Sequence, residues 1–75
     1  MSNHMPKKWD RLIQDVRKYT RYRVMKYPTC YVIKMGFQGV SLILCEDGTA
    51  YRSDVPFAYT SIIRSARVAR AVLEL

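Results

Sequence analysis

The stretch Thr29–Ser53, TCYVIKMGFQGVSLILCEDGTAYRS, decides the fold. Two β-branched, apolar runs, Thr29 to Met35 and Val40 to Cys45, flank Gly36-Phe37-Gln38-Gly39, and a shorter run follows Asp47-Gly48. Glycines supply the positive φ that a tight hairpin needs, and Asp-Gly between apolar runs is the strongest short hairpin signal, suited to a type I′ turn. The segment therefore reads as a three-stranded antiparallel meander with strands near residues 29–35, 40–46 and 49–53. A symmetric first turn sets Ile33 opposite Leu42 and Cys30 opposite Cys45. A two-residue second turn sets Leu44 opposite Tyr51 and Ile43 opposite Arg52.

Alternation along the strands assigns each residue to a face. One face, carrying Tyr31, Ile33, Met35, Val40, Leu42, Leu44 and Tyr51, is apolar throughout. The other carries Cys30, Val32, Lys34, Ser41, Ile43, Cys45, Ala50 and Arg52, a mixed set with an apolar strip down its centre. That second face reads either as an ordinary solvated sheet surface or as a contact surface, with Val32, Lys34, Ile43, Ala50 and Arg52 as its candidate interface residues and a second copy as its first occupant.

Working outward, Trp9, Leu12, Ile13, Val16 and Thr20 follow helical spacing and predict an amphipathic helix over about residues 7–22. Its opposite side carries Arg11, Gln14, Lys18 and Arg21. Residues 21–27 are ambiguous between a frayed turn and a short edge strand, closed by Pro28. On the other flank, Ser53-Asp54-Val55-Pro56 reads as a helix start, and Tyr59, Ile62, Ala66, Ala69 and Leu73 make the apolar stripe of a second helix over about 55–73. The expected fold is a two-layer α+β sandwich in the order α-β-β-β-α, both helices covering the apolar face. Its expected core is Leu12, Ile13, Val16, Ile33, Leu42, Leu44, Ile62, Ala66 and Ala69. Met1-Ser2-Asn3-His4-Met5 reads as a disordered tail or cloning remnant ahead of one domain over 6–75.

The chain has 75 residues, which is room for one small domain. Its composition, 49% hydrophobic and 25% charged, is globular and excludes a disordered or collagen-like chain. No apolar run approaches the ~20 residues of a membrane span, and no signal-peptide stretch opens the chain. Two cysteines do not make a disulfide framework; a reducing, cytoplasmic setting is expected, with both thiols free. The formal charge of +7 is unevenly placed. Lys7, Lys8, Arg11, Arg17, Lys18, Arg21, Arg23 and Lys26 crowd the first third against Asp10 and Asp15, whereas the middle of the chain is close to neutral. Arg64, Arg67 and Arg70 add a smaller basic cluster near the C-terminus.

Catalytic constellations are missing. The three glycines are turn glycines with no Lys-Ser or Lys-Thr after them, so no phosphate loop exists. Nucleophilic catalysis needs a base, and the one histidine is His4 in the tail. Two cysteines cannot supply the four ligands of a zinc site. No cofactor, metal or catalytic residue is expected; catalysis resting on Arg, Lys and Tyr, as in small ribonuclease toxins, is the minor alternative. Tyr19, Tyr22 and Tyr27 interleave with the cations, which is the combination nucleic-acid surfaces use: charge for phosphates, flat rings for bases.

The predicted element order resembles that of double-stranded RNA-binding domains and of small mRNA-cleaving toxins that share their fold. That resemblance is one of topology. The basic Lys-Lys-x-Ala-Lys that opens the second helix of the RNA-binding family is replaced by Phe57-Ala58-Tyr59-Thr60-Ser61, and the toxins' strand histidine has no counterpart, so no site residue is transferred.

The expectation is a small basic accessory protein, of the kind phage or plasmid genomes encode, that binds DNA or RNA through phosphates. Arg11, Arg17, Lys18, Arg21, Arg23 and Lys26 are the candidate contacts, supported by Arg64, Arg67 and Arg70. The alternative is a protein-binding module, an inhibitor of a host enzyme or a subunit of a complex, facing an acidic surface. A membrane role is not expected, because the basic helix needs its apolar stripe for the core.

Overall fold

Burial of the Trp9–Leu12–Ile13–Val16 stripe is what makes the N-terminal segment a helix. In a computed structural model, which describes residues 5–36, 39–53 and 62–75, α1 spans Lys7–Tyr19 and all four residues are buried. The helix stops earlier than its apolar spacing predicts. Thr20 is extended (φ −131°, ψ 171°), and its hydroxyl donates to the Val16 carbonyl at 2.6 Å while accepting from the Tyr22 amide at 3.2 Å. A side chain that competes for the helix carbonyl in this way ends the helix and redirects the chain.

The chain then enters β1, Arg23–Lys26, resolving the ambiguous segment as an edge strand. β2 (Cys30–Lys34), β3 (Ser41–Cys45) and β4 (Ala50–Arg52) follow, and the sheet is antiparallel in the order β1-β2-β3-β4. The class is α+β as expected, but among the described residues the meander has four strands instead of three. The expected α-β-β-β-α order therefore holds only roughly, with β1 added between α1 and the three predicted strands.

The first hairpin has the predicted register, with Ile33 opposite Leu42 and Cys30 opposite Cys45. The second is shifted by one residue: Leu42 faces Arg52, Ile43 faces Tyr51 and Leu44 faces Ala50. The cause is a three-residue loop in place of the two-residue turn. The Gly48 amide donates to the Cys45 carbonyl at 3.1 Å, the Cys45 amide to the Thr49 carbonyl at 2.8 Å, and Gly48 takes φ +91°. This is the type I turn plus left-handed residue common in three-residue hairpins. A one-residue slip moves every later side chain to the other face. Ala50 consequently joins the buried face, fully inaccessible, while Tyr51 moves to the mixed face.

Beyond β4, Ile63 makes a two-way backbone bridge with Ala50, both bonds at 2.7 Å. The last helix, α2, spans only Ala66–Val72, capped by the Ser65 hydroxyl, which accepts from the Arg67 amide. Residues 62–65 are thus not helical; Ile63 takes the inward position and Ile62, expected in the core, is 59% exposed. The proposed start at Asp54-Val55-Pro56, and Tyr59, lie outside the described residues.

One core unites α1, α2 and the face carrying Tyr31, Ile33, Leu42, Leu44 and Ala50. Met5 is part of it, so the folded unit takes in the residue expected at the end of the tail. Ala69 and Leu73 anchor α2, with Ala66 packed against the cluster at partial exposure. Trp9 is fully buried, and its indole N–H donates to the Cys45 carbonyl at 2.9 Å, tying α1 to the end of β3.

Candidate nucleic-acid interface

α1 buries its apolar stripe, which leaves Arg11, Arg17 and Lys18 exposed on its outer side. Arg21 in the connection and Arg23 and Lys26 on β1 are exposed as well. The acidic residues of the same half of the chain face inward partners. Asp10 accepts the Tyr31 hydroxyl at 2.8 Å, and Asp15 is ion-paired with Arg70 of α2. Burial, followed by the hydrogen bond to Asp10, raises the Tyr31 phenol above its ordinary pKa, so it stays a neutral donor.

Arg70 is therefore not spare charge: it fastens α2 to α1. Arg64 and Arg67 are exposed, but the Arg64 backbone carbonyl takes the Lys8 ammonium at 2.7 Å, and Lys8 also lies 4.7 Å above the Trp9 ring. Arg70 thus joins α2 to α1, Lys8 ties α1 to the segment that leads into α2, and the expected supporting cluster contributes two outward cations instead of three.

Pairing across the strands places the remaining candidates. Arg23 sits directly opposite Lys34, and Met25 opposite Val32. Lys34, one of the expected interface residues, lines an open pocket of about 460 Å³ with Arg21, Tyr22, Arg23 and Gly36. Among the described residues, none that lines it is acidic. Sequence spacing did not bring Lys34 to the basic group; only the pairing of β1 with β2 does so, and that strand was the ambiguous one. Val32 and Ile43 are half-buried on the mixed face, joined by Met25 and Tyr51. Ala50 leaves that face for the core, and Arg52 follows Leu42 to the core side of the sheet while its side chain remains exposed.

Among the tyrosines, Tyr19 is 67% and Tyr27 46% exposed, whereas Tyr22 packs against the core. The Lys18 ammonium lies 5.3 Å over the Tyr19 ring. Cys30 and Cys45 are free, half-buried and directly opposite each other. Burial pushes the Cys45 thiol above its ordinary pKa, against a hydrogen bond with Thr49 that pulls it down, which leaves it a poor nucleophile near neutral pH. Among the described residues no three metal-ligating side chains come together, and no helix is long and apolar enough to cross a membrane. Comparison of the chain with protein-family models, with curated proteins and with solved structures finds no match.

Proposed function

We propose that this is a nucleic-acid-binding protein that works by charge, without catalysis, in a reducing intracellular setting. One observation carries the reading: Arg11, Arg17, Lys18, Arg21 and Arg23 point outward, while Asp10 and Asp15, in the same stretch of sequence, are turned to Tyr31 and Arg70. A surface that serves only solubility has no need to segregate its signs; a polyanion site does. Phosphate contacts dominate, since the cations stand on a helix side and a strand edge with few side chains suited to reading base edges.

Binding to labelled DNA or RNA across a salt series tests this. If four to six phosphates are neutralised, log affinity falls with log salt at a slope of about −3.5 to −5.5 on duplex DNA. The triple variant Arg11→Gln, Lys18→Gln, Arg21→Gln weakens binding to every sequence alike and flattens that slope by roughly 2 to 3. Glutamine keeps the helix propensity at Arg11 and Lys18, and Arg21 is exposed beyond the end of α1, so the loss does not report unfolding. Absence of retention of either single strands or duplex at low salt overturns the proposal. It would favour the protein-binding reading, which the adjacent Met25, Val32, Ile43 and Tyr51 on the mixed sheet face support as a surface for a second copy or another protein.

A further inference from the structure

The pairing of Arg23 with Lys34 is unfavourable as it stands. Like charges placed directly opposite each other on an antiparallel pair destabilise it. Arg21 adds a third positive charge to the same pocket, and among the described lining residues none is acidic. A fold that concentrates cations on one strand pair, with an open pocket between them, is arranged for an anion that bridges them. From this pocket β1 runs about 13 Å, over four residues at the usual strand rise, to the exposed ring of Tyr27. Between the two ends lie the half-buried side chains of Met25 and Val32. The order along the strand pair is therefore phosphate-binding charge, then an apolar floor, then an exposed ring.

We propose that the exposed face of β1 and β2 binds single-stranded nucleic acid, with a backbone phosphate held by Arg21, Arg23 and Lys34 and an unstacked base on Tyr27. This rests on the nucleic-acid reading and names the strand type and path. The apolar floor and the ring are what select a single strand. A duplex hides the flat faces of its bases inside its own stack and offers this surface only charge, whereas a single strand presents the same phosphates together with bases free to stack on an aromatic side chain. A second copy on the same face would bring a second Arg23–Lys34 pair toward the first, with no acidic residue among the described residues of the pocket lining to offset it.

The test is fluorescence anisotropy of the full chain with a labelled oligothymidylate and with a mixed-sequence duplex of equal length, at matched low salt. The single strand is expected to bind more tightly. Tyr27→Leu should lower single-strand affinity by about 5- to 150-fold, the equivalent of one stacked base, and leave duplex affinity within about twofold. Arg23→Gln with Lys34→Gln should weaken single-strand binding more than Arg11→Gln with Lys18→Gln, without lowering the melting temperature. Equal binding of both nucleic acids with no effect of Tyr27→Leu overturns this proposal while leaving the broader nucleic-acid reading intact. Failure to bind either nucleic acid removes the reading beneath it. A stable dimer in sedimentation that persists under saturating oligothymidylate overturns the proposal in favour of a second copy on the face.

Discussion

The two ends of the sheet use positive charge in opposite ways. At the end where β3 turns into β4, Lys8 donates to the Arg64 carbonyl, covers the Trp9 ring and approaches Gly48, while Trp9 itself bonds to Cys45. Asp47 closes the turn on Thr49. Every charged or polar group named there has a structural partner. At the other end, Arg21, Arg23 and Lys34 gather around a pocket whose described lining holds no acidic residue, and two of them face each other across a strand pair. The first end is organised for stability, the second gives some up, and sites that give up stability are where ligands are expected.

Trp9→Ala tests that contrast most severely. It removes the largest fully buried side chain and leaves the Cys45 carbonyl without its donor. Large aromatic truncations in cores cost about 3–5 kcal/mol, most of what so small a domain holds. Urea unfolding should show the midpoint falling steeply; a variant that keeps its wild-type midpoint breaks the claim that this end anchors the fold.

Ala50→Leu is the next largest and tests the register of β4. Ala50 is fully buried against the core, so a larger side chain overpacks it at a cost of about 1–3 kcal/mol. Under the two-residue turn that the Asp47-Gly48 dipeptide suggests, the same residue would face outward and tolerate the change. A thermal melt distinguishes the two registers.

These positions also show where sequence stopped being informative. α1, β2, β3 and their pairing were legible because local period and turn symmetry agree over many residues. β1 was not, since four residues of mixed character acquire strand identity only from the hydrogen bonds of β2, and with it went the approach of Lys34 to Arg21 and Arg23. Ala50 was misplaced by one residue because both a two- and a three-residue loop accommodate Asp47-Gly48, and the choice depends on Glu46 entering the turn. Ile62 followed a helical stripe that the backbone bridge between Ile63 and Ala50 interrupts. The basic residues were legible as a set, but that Arg70 is spent on Asp15 depends on the packing of α2 against α1.

At the opposite end, Arg23→Glu should move stability the other way. It replaces a like-charge cross-strand pair with a complementary one, a gain of about 0.2–1 kcal/mol. Nucleic-acid binding through the pocket should fall at the same time. A variant that is both less stable and still fully competent to bind would remove the distinction between the two ends.

The smallest effect is at Asp47, and pH isolates it. Its carboxylate accepts from the Thr49 hydroxyl at 2.6 Å and from the Thr49 amide at 2.9 Å, and these bonds hold its pKa below the ordinary 3.8. Hydrogen bonds to the charged form lower a carboxylate pKa, so the folded state binds this proton more weakly than the unfolded chain does. The stabilisation is complete above the ordinary pKa and is lost as pH falls through the lowered folded value. Asp47→Ala should therefore melt below wild type by a constant, small margin between about pH 7 and 5, and the margin should close below about pH 4. The difference between the two melts is the quantity that reports Asp47. A margin that persists unchanged to about pH 2 would mean that Asp47 acts through its side-chain shape in the turn, and not through its charge.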